Sequence, residues 1–181
     1  MKMPDEFASP DHIVSFTGYR PMKLPNNGSK EVQIELYKLL KKEISEQLLK
    51  GHTTYINGCM AGWDILAGEA VINLRDSHPE LKCITVAPFR KSFFSGSAWT
   101  KEWKGRALEV YRKSDLAFAL SEDYRPGIYY ARNRFLVDHS HLLICYYDGK
   151  PGGTQYTVNY ATVQNLQIIN LADKLNGGKR I

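Results

Sequence analysis

The sequence has little of what an exported or metal-dependent protein requires. It contains three cysteines, Cys59, Cys83 and Cys145, an odd number at wide spacing. This pattern argues against a disulfide framework and against a zinc site, and it predicts buried thiols in a reducing compartment. The five histidines show no ligand spacing such as H-E-x-x-H. We therefore expect no bound metal.

Long hydrophobic runs are also missing. No apolar stretch approaches the ~20 residues that a membrane-spanning helix needs. Residues 1–12 lack the apolar centre of a signal peptide. From these two absences we expect a cytoplasmic protein without membrane contact.

A compact block of basic residues is absent as well, although the formal net charge is +5 and the pI is near 9.0. The lysines are dispersed, and Lys38, Lys41 and Lys42 fall on the outer face of a predicted helix. A solvated basic surface explains this distribution better than a nucleic-acid tract does. Nucleic acid therefore ranks low among the expected partners, and charge alone leaves the partner open.

What the sequence does contain is a regular alternation of short apolar segments with helical patterns. Because parallel strands need crossover helices, this alternation predicts an α/β fold, a single-domain Rossmann-like three-layer sandwich with a mainly parallel sheet. We place this domain at 12–172, between an N-terminal arm, 1–11, and a C-terminal tail, 173–181. The predicted strands are 12–17, 53–56, 82–87, 115–120, 141–146 and 166–170, and the predicted helices are 29–50, 63–77, one ending near 114, 128–139 and 154–165.

Glycine clusters follow the predicted strands, at the edge of the sheet where such folds bind ligands. In the first cluster, Asn57 and Gly58 end a strand and Gly62 precedes a helix, whose free N–H groups attract anions. A phosphate cradle and a tight turn explain this cluster equally well. Asp64, in the first helical turn, is either a helix cap or an acceptor for a ribose hydroxyl, and capping is the safer interpretation.

The second cluster is Gly152, Gly153 and Thr154, between the fifth strand and the next helix. Its glycines can present backbone N–H groups, and the Thr154 hydroxyl suits a phosphate oxygen. Two such clusters at one sheet edge favour ligand binding over turn formation here.

Two further segments carry candidate ligand-binding residues. Arg132 and Asn133 lie on a predicted helix, where a guanidinium would suit phosphate or carboxylate, although this arginine taken alone is better explained as a surface charge. Thr17, Gly18 and Arg20 follow the first strand directly, and a strand-ending turn explains Gly18 equally well. Most aromatic residues after the third strand are expected to pack a loop onto its own core.

Taken in order, these segments resemble the SLOG superfamily, and its YpsA branch most of all. The likeness spans 13 to about 170, and DNA-processing protein A and the lonely-guy proteins are more distant members. TGYRP at 17–21 resembles the TGxRP element of the YpsA branch, and VAPF at 86–89 matches its strand-ending Pro-Phe. NGCMAGWDILAGEAV at 57–71 is similar to SGxxxGxDxxAxEAA, and the segment 131–161 is similar to RNxxxVDxSDxLLxxYD followed by GGT.

The resemblance implies a nucleotide-derived ligand, such as a nucleoside phosphate, an NAD derivative or ADP-ribose, with no required cofactor. A binding or sensing role is the leading hypothesis. An N-glycoside hydrolase acting on a nucleotide is the alternative, and a DNA-associated role like that of DNA-processing protein A comes last. By analogy with related families a homodimer is expected.

Enzymatic activity stays open at this point. The lonely-guy enzymes carry a catalytic Glu after their glycine motif, and the corresponding segment here, 151–160, has no carboxylate. For an N-glycoside hydrolase the catalytic carboxylate would be Asp64 or, as the alternative, Glu69. Trp99 and Tyr129 are the candidates for stacking on a base.

Overall fold

The computed structural model of the protein describes residues 12–96 and 99–175. The predicted N-terminal arm, 1–11, lies outside these residues, as does the part of the predicted tail from 176 to 181.

Within the described part of the chain six strands form one sheet, and each lies close to its predicted position. They are β1 Ile13–Thr17, β2 Thr54–Asn57, β3 Lys82–Phe89, β4 Leu116–Ser121, β5 Leu142–Cys145 and β6 Gln167–Asn170. Their order across the sheet is β4-β3-β2-β1-β5-β6, and all five neighbouring pairs are parallel. The predicted Rossmann-like α/β fold is therefore confirmed.

Helices connect these strands. They are α1 Lys30–Leu48, α2 Trp63–Leu74, α3 Lys101–Lys113, α4 Ile128–Asp138, α5 Gly153–Val163 and the short α6 Ala172–Leu175. Helix α1 begins after Ser29, whose hydroxyl accepts a hydrogen bond from the Val32 N–H at 3.5 Å. It ends shortly before Gly51, which adopts a φ of +91° that favours glycine. Among the described residues, none of the helices combines the length and the apolar composition needed to cross a membrane.

The helices cover both faces of the sheet. Helices α1, α2 and α3 pack in succession against one another, and α4 packs against α5. Both α2 and α4 contact β1 and β3. They take opposite faces because the chain crosses the sheet in one direction from β1 to β4 and in the other direction from β4 to β6, and right-handed crossovers then fall on opposite sides.

The packing of Trp63 fixes the first turn of α2 against the loop after β1. The Trp63 side chain is fully buried in the largest core cluster. Its backbone N–H donates to the Tyr19 carbonyl at 3.1 Å. A Cβ atom on Gly18 would lie 2.3 Å from the Cγ atom of Trp63. Glycine at position 18 is therefore a packing requirement, because any side chain there would displace the indole.

This packing predicts opposite effects for two glycine-to-alanine substitutions. Gly18→Ala should destabilise the fold by about 1–3 kcal/mol through overpacking against Trp63. Gly105, inside α3, has open space around its Cβ position. Gly105→Ala should therefore stabilise the fold by about 0.5–1 kcal/mol, the usual gain in helix propensity. Urea unfolding of both variants measures the difference, and equal midpoints would contradict the packing role of Gly18.

Candidate functional site

A cavity of about 420 Å³ opens at the carboxyl ends of β1 and β5. Its walls come from the loop after β1, the loop before α5, the first turn of α2 and one side of α4. The residues around it are Phe16, Thr17, Gly18, Tyr19, Arg20, Met22, Lys23, Met60, Asp64, Tyr129, Arg132, Asn133, Leu136, Pro151, Gly152, Gly153 and Thr154.

The topology of the sheet explains why the cavity lies there. Strand β1 pairs with β2 on one side and with β5 on the other. The chain leaving β1 enters α1 on one face, and the chain leaving β5 enters α5 on the opposite face. The two connections diverge, and a crevice opens between them at this switch point of the strand order.

The glycine segment before α5 forms one wall of the cavity. Gly152 has a φ of +138°, a conformation that side chains rarely adopt, and α5 begins at Gly153 with no side-chain cap. The Thr154 hydroxyl donates to the Gly18 carbonyl at 2.9 Å, which joins this segment to the loop after β1. The Lys23 Nζ atom donates to the Pro151 carbonyl at 2.7 Å. An uncapped helix N-terminus and an ammonium group thus lie side by side.

A buried ion pair forms the opposite wall. Arg132 is 4% exposed and Asp64 is 6% exposed. The Nη1 atom of Arg132 lies 3.7 Å from Oδ2 of Asp64 and has no hydrogen-bond partner in the described chain. The same Oδ2 atom accepts a hydrogen bond from the Met60 N–H at 3.3 Å. Burial raises the pKa of Asp64 to about 6, and the nearby Arg132 opposes this shift only in part.

Gly58 and Gly62 lie outside the cavity lining and serve packing instead. A Cβ atom on Gly58 would lie 2.0 Å from the Arg132 Nη1 atom and 2.6 Å from Asp64 Oδ2. Gly62 has a φ of +95°, and a Cβ there would lie 2.5 Å from the Tyr19 carbonyl. Of the two interpretations that the sequence left open for these glycines, a phosphate cradle and a tight turn, their surroundings favour a tightly packed turn, since protein atoms lie close to both.

Asn57 also lies outside the cavity lining. Its side-chain amide donates to the Thr85 hydroxyl at 2.9 Å and to the Ile84 carbonyl at 3.2 Å, and its oxygen accepts from the Cys59 N–H at 3.0 Å. These bonds hold the loop after β2. Burial raises the pKa of the neighbouring Cys59 thiol to about 12, so this thiol stays protonated.

The other nine candidate residues from the sequence surround the cavity: Thr17, Gly18, Arg20, Asp64, Arg132, Asn133, Gly152, Gly153 and Thr154. The side-chain oxygen of Asn133 accepts a hydrogen bond from the Arg132 Nε atom at 3.0 Å and so orients the guanidinium of Arg132. The arginine at 132 is buried beside the cavity and is not the surface charge that the sequence favours.

The two stacking candidates separate in the structure. Tyr129 lines the cavity, and the Arg20 guanidinium carbon lies 5.8 Å from the centroid of its ring. Trp99 packs against Phe93 and Phe94, with ring centroids 5.3 and 4.8 Å apart. Trp99 therefore packs a loop in the way expected for most of these aromatic residues.

Lys23 and Met60 line the cavity although the sequence analysis did not predict them, whereas Glu69, a predicted catalytic candidate, lies outside the lining. Lys23 reaches the cavity because the short helical turn Pro21–Lys23 folds it over the Pro151 carbonyl, and no local pattern signals this. Glu69 forms a bidentate ion pair with Arg106, at 2.6 and 2.7 Å, between α2 and α3. Glu69 does not line the cavity, so among the described residues Asp64 is the only carboxylate in the lining, beside the cations Arg20, Lys23 and Arg132.

These features define a Rossmann-like protein whose candidate site lies at the switch point of a parallel sheet and carries an excess of positive charge. The sequence profile of the YpsA family, described as the YspA SLOG family, matches residues 14–171. The chain belongs to this family. The likeness seen in the TGYRP and GGT segments is thereby confirmed.

Individual proteins show the same relationship. The chain is 30% identical over 129 residues, 65% of its length, to the uncharacterized SPbeta prophage-derived protein YoqJ of Bacillus subtilis (strain 168), and the match covers 75% of that protein. DNA processing protein A of Streptococcus pneumoniae has a similar fold, with a TM-score of 0.57 and 18% identity over 91% of this chain. DNA processing protein A from Helicobacter pylori also has a similar fold, with a TM-score of 0.58 and 16% identity, and the match covers 96% of this chain.

The solved structures are longer than this chain. The match covers 53% of the S. pneumoniae protein and 75% of the H. pylori protein. At this level of identity the likeness shows a common fold.

Asp64 is expected to make stability depend on pH. Its pKa is about 6 in the folded chain against an ordinary value of 3.8, so the folded state keeps a proton that the unfolded state releases between these values. The contribution of Asp64 to the free energy of unfolding should therefore fall as pH rises from about 4 to 6, by about 1.4 kcal/mol for each unit of pKa shift, and stay flat above.

Urea unfolding of the wild type and of Asp64→Asn from pH 4 to 8 measures this contribution. The free energy of unfolding of the wild type minus that of Asp64→Asn should decrease as pH rises to about 6 and stay constant above it. Asp123→Asn is the matched control, because the Asp123 side chain is 68% exposed. Wild-type and Asp64→Asn curves that run parallel below pH 6 would contradict the raised pKa.

Proposed function

We propose that the protein binds a nucleotide-derived small molecule, with its phosphate against the N-terminus of α5. The observation that carries this proposal is the convergence of an uncapped helix N-terminus with Arg20, Lys23 and Arg132 around one cavity. Backbone N–H groups and the helix dipole attract an anion at such a terminus. The described lining carries three cations and one carboxylate, and this excess of positive charge also favours a negatively charged ligand.

The dimensions of the cavity suit a mononucleotide or a somewhat larger derivative. Its volume of about 420 Å³ falls in the roughly 300–1,000 Å³ range of small-molecule sites. Gly152 lets the backbone approach a phosphate oxygen closely, since its φ of +138° admits hardly any side chain. Lys23, which donates to Pro151 in this segment, can turn from that carbonyl to a phosphate.

The remaining walls offer partners for the rest of a nucleotide. The Tyr129 ring provides an aromatic surface for a base, with the planar Arg20 group beside it. Asp64 and Asn133 supply oxygen atoms that accept hydrogen bonds from ribose hydroxyls. The proposal thus needs no nucleophile and no metal, and it is compatible with the nucleotide-related roles that the SLOG resemblance implies.

Thermal unfolding in the presence of AMP, ADP, ADP-ribose and NAD tests this function. A ligand at about 100 times its Kd should raise the free energy of unfolding by about 2.7 kcal/mol. Arg20→Gln should weaken the apparent affinity at least about tenfold, because a hydrogen bond to a charged group contributes roughly 1.5–3 kcal/mol.

Arg134→Gln is the matched control for charge. Arg134 lies on α4 as Arg132 does, but it is outside the cavity and contacts the Tyr156 hydroxyl at 3.3 Å. It should leave ligand binding unchanged. If none of the four nucleotides raises the unfolding temperature of a folded sample, or if both arginine variants bind equally well, the proposal fails.

A second candidate function is hydrolysis of the N-glycosidic bond of the bound nucleotide. One observation favours it: among the described lining residues Asp64 is the only carboxylate, and burial raises its pKa to about 6, so it keeps its proton up to about that pH. A protonated carboxyl can donate that proton to the departing base as the N-glycosidic bond breaks, and the water that adds to the ribose carbon then returns a proton to the carboxylate. The segment after Gly153 contributes no carboxylate of its own.

Chromatography of free base after incubation with AMP or NAD tests this activity. If Asp64 is the general acid, Asp64→Asn should slow release of the base by roughly 10²–10⁴-fold. The same variant should still show a thermal shift with the nucleotide. Base release that is unchanged in Asp64→Asn would remove Asp64 from the mechanism.

A DNA-associated role is the remaining alternative. It is motivated by the net charge of +5 and by the H. pylori fold neighbour, whose structure concerns a single-stranded DNA binding mode. A single-stranded oligonucleotide belongs in the same binding assay, at low and high salt, because phosphate contacts weaken steeply with salt. Absence of binding at low salt would remove this alternative.

A further inference from the structure

A second cavity, of about 410 Å³, lies at the other end of the same sheet edge. It is bounded by α3, by β3 and β4, and by the short helical turn Phe93–Ser95. Its lining residues are Ala87, Phe89, Arg90, Phe93, Phe94, Leu108, Tyr111, Ala117 and Ala119. None of them lines the first cavity.

Three alanines on neighbouring strands create the space. Ala87 of β3 pairs with Ala119 of β4, and Ala117 lies two positions earlier on the same strand. Alternate residues of a strand share a face, so the three methyl groups form one floor beneath α3. Larger side chains at these positions would fill the volume between the sheet and the Leu108 and Tyr111 side chains.

Aromatic rings make the side wall. The Phe93 ring packs edge-on against Phe89, with centroids 5.4 Å apart, and lies 5.0 Å from Phe94. Trp99 packs behind both Phe93 and Phe94. A wall of ring faces and edges favours a flat apolar group, because offset and edge-on ring contacts add to the gain from burial.

The described lining also includes one cation, Arg90. Arg90 has a side chain that is 68% exposed, and its ion-pair partner in the described chain is the exposed Glu122, at 3.6 Å. An exposed pair of this kind contributes little, so a ligand carboxylate can replace Glu122. Tyr111 is the second polar group at the cavity, and its half-buried phenol provides a hydrogen-bond donor beside Arg90.

We propose that this cavity is a binding site for a small aromatic carboxylate, whose ring lies on the alanine floor and whose carboxylate pairs with Arg90. The site is separate from the one in the proposed function. The contact between Phe89 and Tyr129, with ring centroids 6.0 Å apart, stands between the two cavities. Failure of either proposal therefore leaves the other in place.

Methyl NMR of alanine-labelled protein tests the proposal, with 4-phenylbutyrate as the probe and 4-phenylbutan-1-ol as its neutral match. The methyl resonances of Ala87, Ala117 and Ala119 should shift on titration with the carboxylate, while that of Ala67, a buried residue of α2 outside this cavity, should stay in place. The alcohol should bind at least tenfold more weakly. Arg90→Gln should abolish this difference, since it removes the cation and leaves the apolar floor intact.

Two further measurements complete the test. Ala119→Leu should block the probe by filling the floor, and if that variant does not fold, the exposed Arg90→Gln substitution still decides the outcome. Light scattering of the free protein shows whether the chain forms a dimer, in which a second copy could occupy this cavity instead of a small molecule. The proposal is overturned if the three methyl resonances do not respond up to the solubility of the probe, if carboxylate and alcohol bind equally in the wild type, or if a second copy of the chain covers these alanines in a dimer.

Discussion

The ion pair between Asp64 and Arg132 joins two helices that lie on opposite faces of the sheet. Asp64 comes from the first turn of α2 and Arg132 from α4, and they meet beyond the strand ends at 3.7 Å. Both are buried, yet Arg132 Nη1 has no hydrogen bond among the described residues, so the pair recovers little of its desolvation cost. Such a pair beside a cavity is consistent with the proposed ligand site, and it contributes little as a stabilising contact.

The glycines of this region show how one residue type meets two different physical demands. Gly58 makes room for the buried ion pair, and Gly18 makes room for the Trp63 indole. Gly152 instead supplies an unusual backbone conformation directly at the cavity wall. The motif containing Gly58 and Gly62 resembles a phosphate loop because both structures need glycine where a strand enters a helix. What fills the space around the glycine decides between them, and that is a matter of tertiary contacts.

Local patterns predicted the elements well because each strand and helix depends on its own hydrophobic periodicity. Ser29 and Gly51 bound α1 as capping chemistry predicts. Long-range pairings could not be predicted in this way. Nothing near Glu43 in the sequence indicates that it is buried and accepts a hydrogen bond from Lys174 of the unpredicted helix α6. Likewise, only the folded chain reveals that Glu69 is paired with Arg106 and that Lys23 reaches the cavity.

The two cavities differ in chemistry because they arise in different ways. The first opens where the connections after β1 and β5 diverge, so backbone ends and loop side chains line it, and the loops supply Arg20 and Lys23, two of the four charged side chains in its described lining. Strands β3 and β4 are neighbours in both sequence and space, so no crevice opens between their ends. The second cavity is instead made by three small side chains under a helix, and its lining is mainly apolar for that reason, with Arg90 and Tyr111 as its polar groups. A sheet edge can thus form a cavity lined by charged groups through its topology and a mainly apolar cavity through side-chain size alone.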